Sequence, residues 1–251
     1  MSRRQIIQPV VDMLRAPDGA RDRQLIWGDL VTVKEDSDGW AQVEAVKDGY
    51  TGYLPNSYLG PVSPVTHWVS NPATHAYTKP DFKSQDLRSL SFGSRVQVLS
   101  QNGRFAQTTD GFVPSTHLAP IGSYLDDPVA IAEAFLGSPY LWGGNSRFGI
   151  DCSGLVQAAL LACGIPRPGD TGPQEAALGK TLPSSAEYQR GDLLFWKGHV
   201  AFVWDCDTLI HANVHHMAVA LEPLKPALER ILDQGDGPVT SHKRLALASA
   251  S

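Results

Sequence analysis

The sequence predicts a multidomain chain, two small all-β barrels followed by one α+β domain. Three observations lead there. The first half repeats itself, the local pattern changes at Gly122, and 251 residues with 42% hydrophobic and 19% charged content are enough for several cores. The 23 Gly and 18 Pro favour a turn-rich globular chain over a disordered one. The expected domains are 1–61, 62–122 and 123–251.

The repeat comes first. Leu25-Ile26-Trp27-Gly28 recurs as Leu90-Ser91-Phe92-Gly93, Val31-Thr32-Val33 as Val96-Gln97-Val98, and Trp40-Ala41-Gln42-Val43 as Phe105-Ala106-Gln107-Thr108, all at one spacing. After a short contraction, Gly52-Tyr53-Leu54-Pro55-Asn56-Ser57-Tyr58-Leu59 returns as Gly111-Phe112-Val113-Pro114-Ser115-Thr116-His117-Leu118. A tandem duplication explains that order. Within each copy, short runs alternate with period two and are broken by Gly, Asp, Asn and Pro, the pattern of a small antiparallel barrel. Leu54 and Val113 are expected to face inward and the next Pro to start a turn. Tyr53 and Phe112 fall on the outer face, and Tyr58 and His117 in surface turns. The Gly-aromatic-aliphatic-Pro-polar-Ser/Thr ending, after an aromatic that opens a strand (Trp40, Phe105), resembles the bacterial SH3 domain over 8–60 and 65–121.

From Gly122 the pattern turns to helices and then strands. Asp126-Asp127 before Pro128 supplies an acidic N-cap and a proline in the first turn, so a helix is expected over 128–136 with Gly137 as its stop. A second helix is expected over 152–162, ended by Gly164 and Pro166. Strands follow at 192–196, 199–204, 208–212 and 218–222. A short helix over 223–232 is expected to keep Glu229 and Arg230 outside. Asp170 to Gln174 reads as a loop, and Trp142 and Trp196 as core aromatics.

Charge and cysteine count exclude several classes. Twenty-one basic against 26 acidic residues give a net charge of −5, with no basic block to track a phosphate backbone, so nucleic acid is not an expected partner. Cys152, Cys163 and Cys206 are odd in number and widely spaced, which points to reduced thiols. Gln8, Pro9 and Asp12 interrupt the apolar patch near the N-terminus, and no later stretch approaches the ~20 apolar residues that span a bilayer. A cytoplasmic protein with no membrane partner is the expectation.

Cys152 stands at a helix start after the Gly-rich Trp142-Gly143-Gly144-Asn145, where free N–H groups and the dipole favour thiolate. Cys163, near the other end of that helix, reads as an apolar filler. A base is needed, and two histidines offer one. A turn centred on Asp205 sets His199 opposite His211, with Cβ atoms ~5 Å apart. One imidazole then deprotonates Cys152 while the other fixes its tautomer. Cys206, His211, His215 and His216 lack zinc-ligand spacing, so no metal is expected.

Four motifs in order are similar to those of the NlpC-type, papain-like cysteine peptidases. They are Pro139-Tyr140-Leu141-Trp142-Gly143-Gly144, Asp151-Cys152-Ser153-Gly154-Leu155-Val156, Gly191-Asp192-Leu193-Leu194-Phe195-Trp196 with His199-Val200-Ala201, and Leu209-Ile210-His211-Ala212. The resemblance implies an α+β papain-like fold, Cys152 as nucleophile, His199 as general base and acid, and His211 as the orienting third residue. The Cys152 N–H would stabilise the oxyanion, and no cofactor is implied. Members with a bacterial SH3 pair ahead of this domain resemble γ-D-glutamyl-L-diamino acid endopeptidases, which implies a short muropeptide beginning L-Ala-γ-D-Glu and a place in peptidoglycan recycling. Tyr140, Asp151 and Ser153 match positions lining the substrate cleft, and Tyr50 is the candidate aromatic closing its far end. Asp151 is expected to pair with the free α-ammonium of the substrate, and Asp151→Asn to keep its capping oxygen and near-normal stability. Arg190, where the family commonly has Pro, is expected to affect turn stiffness more than chemistry. Two rival readings are an amidase or acyltransferase using the same three residues, and a cell-wall binding protein.

Overall fold

The computed structural model describes residues 2–166 and 168–246. The chain divides into two compact units, one holding the residues up to Ser123 together with Asn145–Phe148, the other Tyr124–Gly144 with the residues from Gly149 onward.

In the first unit, seven antiparallel strands form one sheet in the order Arg21–Ile26, Val10–Leu14, Thr51–Pro55, Trp40–Ala45, Leu30–Ser37, Ser2–Ile6, Leu59–Gly60. Alternation turns Val11, Met13, Leu25, Val31, Val43 and Leu54 into one buried cluster. The later residues form a five-stranded sheet (Asp86–Ser91, Ala73–Tyr77, Gly111–Pro114, Phe105–Thr108, Val98–Asn102) and a three-stranded one (Arg95–Val96, His67–Val69, Leu118–Pro120). Their core holds Val69, Ala76, Leu90, Val96 and Val113, with Trp27 added from the first sheet's neighbourhood.

The sequence repeat reappears in backbone detail. Asp29 N–H donates to Ile26 O and Ser94 N–H to Ser91 O, both at 3.0 Å, with Gly28 and Gly93 at φ +82° and +83°. One-turn 3₁₀ helices at Asn56–Tyr58 and Ser115–His117 each follow their proline directly. Leu54 and Val113 are fully buried, and Tyr53 and Phe112 are half-buried, as the alternation requires. Gly28 also permits a close approach, since a Cβ there would lie 2.5 Å from Arg95 O.

The second unit carries four α-helices, α1 (Pro128–Glu133), α2 (Cys152–Ala162), α3 (Thr171–Ala177) and α4 (Leu224–Ile231). Its antiparallel sheet runs Lys180–Thr181, Ser241–Arg244, Leu193–Trp196, His199–Asp205, Thr208–Asn213, Ala218–Pro223. Asp127 caps α1 by accepting the Val129 N–H at 2.8 Å, and Asp151 caps α2 by accepting that of Gly154 at 2.6 Å. Leu224, Ala227 and Ile231 of α4 pack on Leu194, Trp196, Ala201, Val203 and Leu209.

Three expectations need correction. Asp170 to Gln174 is not a loop, because Asp170 opens α3, whose Thr171 and Gln174 are buried. Trp196 is a core residue, but Trp142 is 61% exposed, set in the turn where Gly144 N–H donates to Leu141 O rather than in an element with a buried face. Arg230 is not simply outside on α4; it forms an ion pair with the buried Glu222 at 2.7 Å. Arg190 sits at the turn before the sheet in a set of ion pairs. Its guanidinium joins Asp127 and Glu133 of the α1 region at 2.9 and 3.0 Å and donates to Trp204 O, tying α1 to the sheet.

The buried Asp192 meets His242 Nε2 and Arg244 Nε at 2.7 Å each. Burial would raise its pKa, but these partners outweigh that and hold the carboxyl below its usual range. Among the described residues, no helix is long and apolar enough to cross a membrane.

Candidate active site

The site begins with the cap of α2. Asp151 has extended backbone, so its carboxylate folds over the helix start and accepts from Gly154 N–H at 2.6 Å and Ser153 Oγ at 3.2 Å on Oδ1, and from Gly143 N–H at 2.9 Å on Oδ2. The glycine-rich loop can come this close because Gly144 has no Cβ; one would lie 2.5 Å from Gly149 O. This geometry says what Asp151→Asn would lose. An amide offers one acceptor oxygen, so its NH₂ would confront an N–H that now has a partner.

Cys152 is the first residue of α2 and is 5% exposed. Its Sγ lies 3.9 Å from Thr171 Oγ1 and 3.9 Å from Gly198 O. The backbone on both sides of His199 therefore touches the sulfur, since Val200 also contributes a hydrogen bond favouring its ionised form. Burial first, and then the Asp151 charge, push the thiol up to about 12 against the help of Val200, Thr171 and Ser153. Burial therefore opposes the thiolate that the helix start favours. Burial first, then the His211 and Arg230 charges, lower His199 to about 3. Both shifts favour a neutral thiol beside a neutral imidazole.

The histidines meet, though not in the expected register. The hairpin closes tightly, with Asp205 paired to Thr208 and the Asp207 N–H bound to Asp205 Oδ1 at 2.9 Å, and a bulge falls at Trp204. Phe202 then faces Ile210, which shifts His211 away from the position opposite His199. Both still point to one face as diagonal neighbours, within reach of imidazole side chains. His199 Nε2 and His211 Nδ1 are 2.8 Å apart, which leaves His199 Nδ1 as the nitrogen available to the thiol.

Two further residues extend the row. Leu209 pairs with Glu222, so Glu222 is the next diagonal neighbour, and its Oε2 lies 2.9 Å from His211 Nε2. Arg230 grips the carboxylate with Nε on Oε1 at 2.8 Å and Nη2 on Oε2 at 2.7 Å. The hydrogen bonds from His211 and Arg230 overcome the effect of burial and hold Glu222 far below the usual carboxylate range. Sequence reasoning missed Glu222, Arg230 and Thr171. The available signal was one acidic residue on the strand after His211, followed two turns along α4 by an arginine.

The remaining expected site residues divide. Tyr140 is half-buried, its ionisation opposed first by burial and then by Cys152 and Asp151, which puts its phenol in electrostatic reach of both. Ser153 is buried against the Asp151 carboxylate. Tyr50 belongs to the other compact unit, where its hydroxyl donates to Asp22 at 3.0 Å and the Arg23 guanidinium lies 5.1 Å over its ring. Cys206 is exposed at its hairpin tip, and Cys163, half-buried, follows the end of α2.

A nucleophile at a helix start, with two hydrogen-bonded histidines on the facing sheet, can perform thiol acyl transfer. The family models agree with that chemistry. Residues 137–229 match the NlpC/P60 family, and residues 13–59 match the bacterial dipeptidyl-peptidase SH3 domain. This chain carries an NlpC/P60 cysteine peptidase domain behind a bacterial SH3 domain. It is 29% identical to a γ-D-glutamyl-L-lysine dipeptidyl-peptidase of Bacillus cereus (strain ATCC 10987), over 81% of this chain and 70% of that protein. A protein of the same name from Bacillus subtilis (strain 168) is 31% identical over 71% of this chain and 65% of its own length. The chain thus spans about two thirds of these relatives. The crystal structure of an NlpC/P60 family protein from Bacillus cereus ATCC 10987 shares the fold, with a TM-score of 0.80 at 22% identity over 97% of this chain and 99% of that one.

Proposed function

We propose that this NlpC/P60 peptidase hydrolyses the bond between γ-D-glutamate and an L-diamino acid, lysine or diaminopimelate, in small muropeptides that begin with a free L-Ala. The observation that carries the proposal is the contact between His199 Nε2 and His211 Nδ1, 2.8 Å, beside the sulfur of Cys152. The names of the Bacillus relatives, which specify γ-D-glutamyl-L-lysine, support the bond.

In this reading His199 Nδ1 takes the Sγ proton as sulfur attacks the γ-carbonyl carbon, and the Cys152 N–H at the helix start stabilises the oxyanion. The imidazolium returns that proton to the departing diamino acid nitrogen as the C–N bond breaks. Water then attacks the thioester with His199 again as base, releasing Ala-γ-Glu and restoring the thiol. His211 orients His199. Asp151 receives the substrate ammonium, a charge-assisted pairing that an acylated amine cannot make. Tyr140 and Ser153 line the cleft. Residues 62–122 are a second SH3-like module, an assignment supported by the matched turns at Gly28 and Gly93.

The test offers L-Ala-γ-D-Glu-L-Lys, its diaminopimelate analogue and the N-acetylated forms to wild type and Asp151→Asn, with products read by mass spectrometry. Free-amine peptides are expected to yield Ala-γ-Glu and the diamino acid. In Asp151→Asn, the preference over N-acetylated peptide is expected to collapse, while the lost cap bond costs ~1 kcal/mol of stability. An unchanged preference would mean the amine is read elsewhere.

A further inference from the structure

We infer that Glu222, held by Arg230, is a positioning residue that fixes the tautomers of His211 and His199 in turn, keeping the His199 Nδ1 lone pair aimed at Cys152. An ionised carboxylate only accepts hydrogen bonds, and a guanidinium only donates. Arg230 occupies both oxygens of Glu222, at 2.8 and 2.7 Å, so the group at 222 is a carboxylate in an ion pair. His211 Nε2, 2.9 Å from Oε2, must therefore carry its hydrogen. A neutral imidazole has one, so His211 Nδ1 is an acceptor. The partner 2.8 Å away, His199 Nε2, must then be a donor, and His199 Nδ1 is left unprotonated. This is the tautomer that can receive a proton from sulfur.

The row is sealed enough for the rule to hold. His211 is 1% exposed and Glu222 6%. Among the described residues, His216 also faces Glu222, with Nδ1 4.0 Å from Oε2, and that nitrogen also sits 3.0 Å from Asn213 Oδ1. Reversing the rule shows its force. In Glu222→Gln one oxygen cannot serve both Arg230 Nε and Nη2; with that oxygen kept on Nε, the NH₂ takes the Oε2 place beside His211 Nε2, which must then become an acceptor. His211 Nδ1 then carries the hydrogen, His199 Nε2 accepts it, and His199 presents Nδ1–H to the thiol. A catalytic histidine held in its wrong tautomer loses up to ~10⁴ in kcat in serine peptidases.

The inference rests on His199 being the base, but its primary readout needs no substrate. Nitrogen-15 NMR of histidine-labelled wild-type protein at neutral pH, assigned with single histidine variants, is expected to show both His199 and His211 as Nε2–H. Glu222→Gln is expected to move both to Nδ1–H and to lower kcat by ~10²–10⁴ with KM within a few-fold, and Glu222→Asp, still acceptor-only, to keep the wild-type tautomers. Wild-type His199 carrying its hydrogen on Nδ1 overturns the inference outright, even if Glu222→Gln fails to fold. So does a folded Glu222→Gln with unchanged tautomers and kcat within threefold. A wild type inert on every muropeptide would instead overturn the proposed substrate and leave the tautomer result standing.

Discussion

Raising the pH should activate Cys152 toward alkylation over a range where catalytic thiolates are already saturated. The thiol is pushed from an ordinary 9.0 up to about 12 by burial and by the Asp151 charge. Three pH units mean roughly a thousandfold less thiolate than an ordinary cysteine holds at pH 7. A thiolate of higher pKa is the better nucleophile, with a Brønsted slope of ~0.4–0.5, which restores ~10–30-fold. The net expectation is alkylation about 30–100-fold slower than an exposed cysteine of ordinary pKa at pH 7, before any steric protection, rising tenfold per pH unit. Short pulses of iodoacetamide between pH 5 and 9, followed by peptide mapping, give the rate at each cysteine separately. A Cys152 rate that is already flat between pH 5 and 7 would refute the reasoning, since it requires a resting thiolate-imidazolium pair.

The other predictions follow from the ion pairs and the core. Asp192 and Glu222 have depressed folded pKa values, so their contribution to stability is complete above the ordinary carboxylate values of 3.8 and 4.5. It drains as the pH falls through and below them, which urea titrations from pH 7 to 3 will show as a falling midpoint. A midpoint that stays level over that range would contradict the sign. Arg190→Ala should cost under ~1 kcal/mol, because the guanidinium is 39% exposed and its pairs are solvent-screened, and should leave kcat unchanged. A large drop in kcat would assign Arg190 a role in the chemistry. Cys152→Ala should abolish turnover while Cys163→Ala and Cys206→Ala keep most of it. Loss at Cys163 instead would move the nucleophile. Cell fractionation should recover the chain in the cytoplasmic fraction, and recovery with the wall sacculus would favour polymer as substrate.

Much of the site was legible because it depends on local rules. The Asp151 cap, the limits of α2 at Cys152–Ala162, and the Leu54 and Val113 positions follow from capping and alternation. The histidine pairing was legible as a fact but not as a register. Turn length was set by the Asp205 side chain and a bulge at Trp204, and neither leaves a periodic trace. The burial of the Cys152 thiol was not legible, because a helix dipole is visible in sequence whereas burial is a tertiary quantity. Glu222 was hidden for a similar reason. On its strand it reads as an ordinary polar position, and only the diagonal neighbour on one side and Arg230 of α4 on the other reveal its partners.

The central claim is that Cys152 forms a thioester with the γ-carboxyl of the D-Glu residue in L-Ala-γ-D-Glu, using a proton path through His199. Acid-quenched reactions of wild-type protein with L-Ala-γ-D-Glu-L-Lys, read as intact mass and then as peptide fragments, test it most directly. The account predicts an Ala-γ-Glu acyl group on the peptide containing Cys152, absent from Cys152→Ala and released by hydroxylamine. Full turnover by Cys152→Ala, or an acyl group mapped to Cys163 or Cys206, would contradict it.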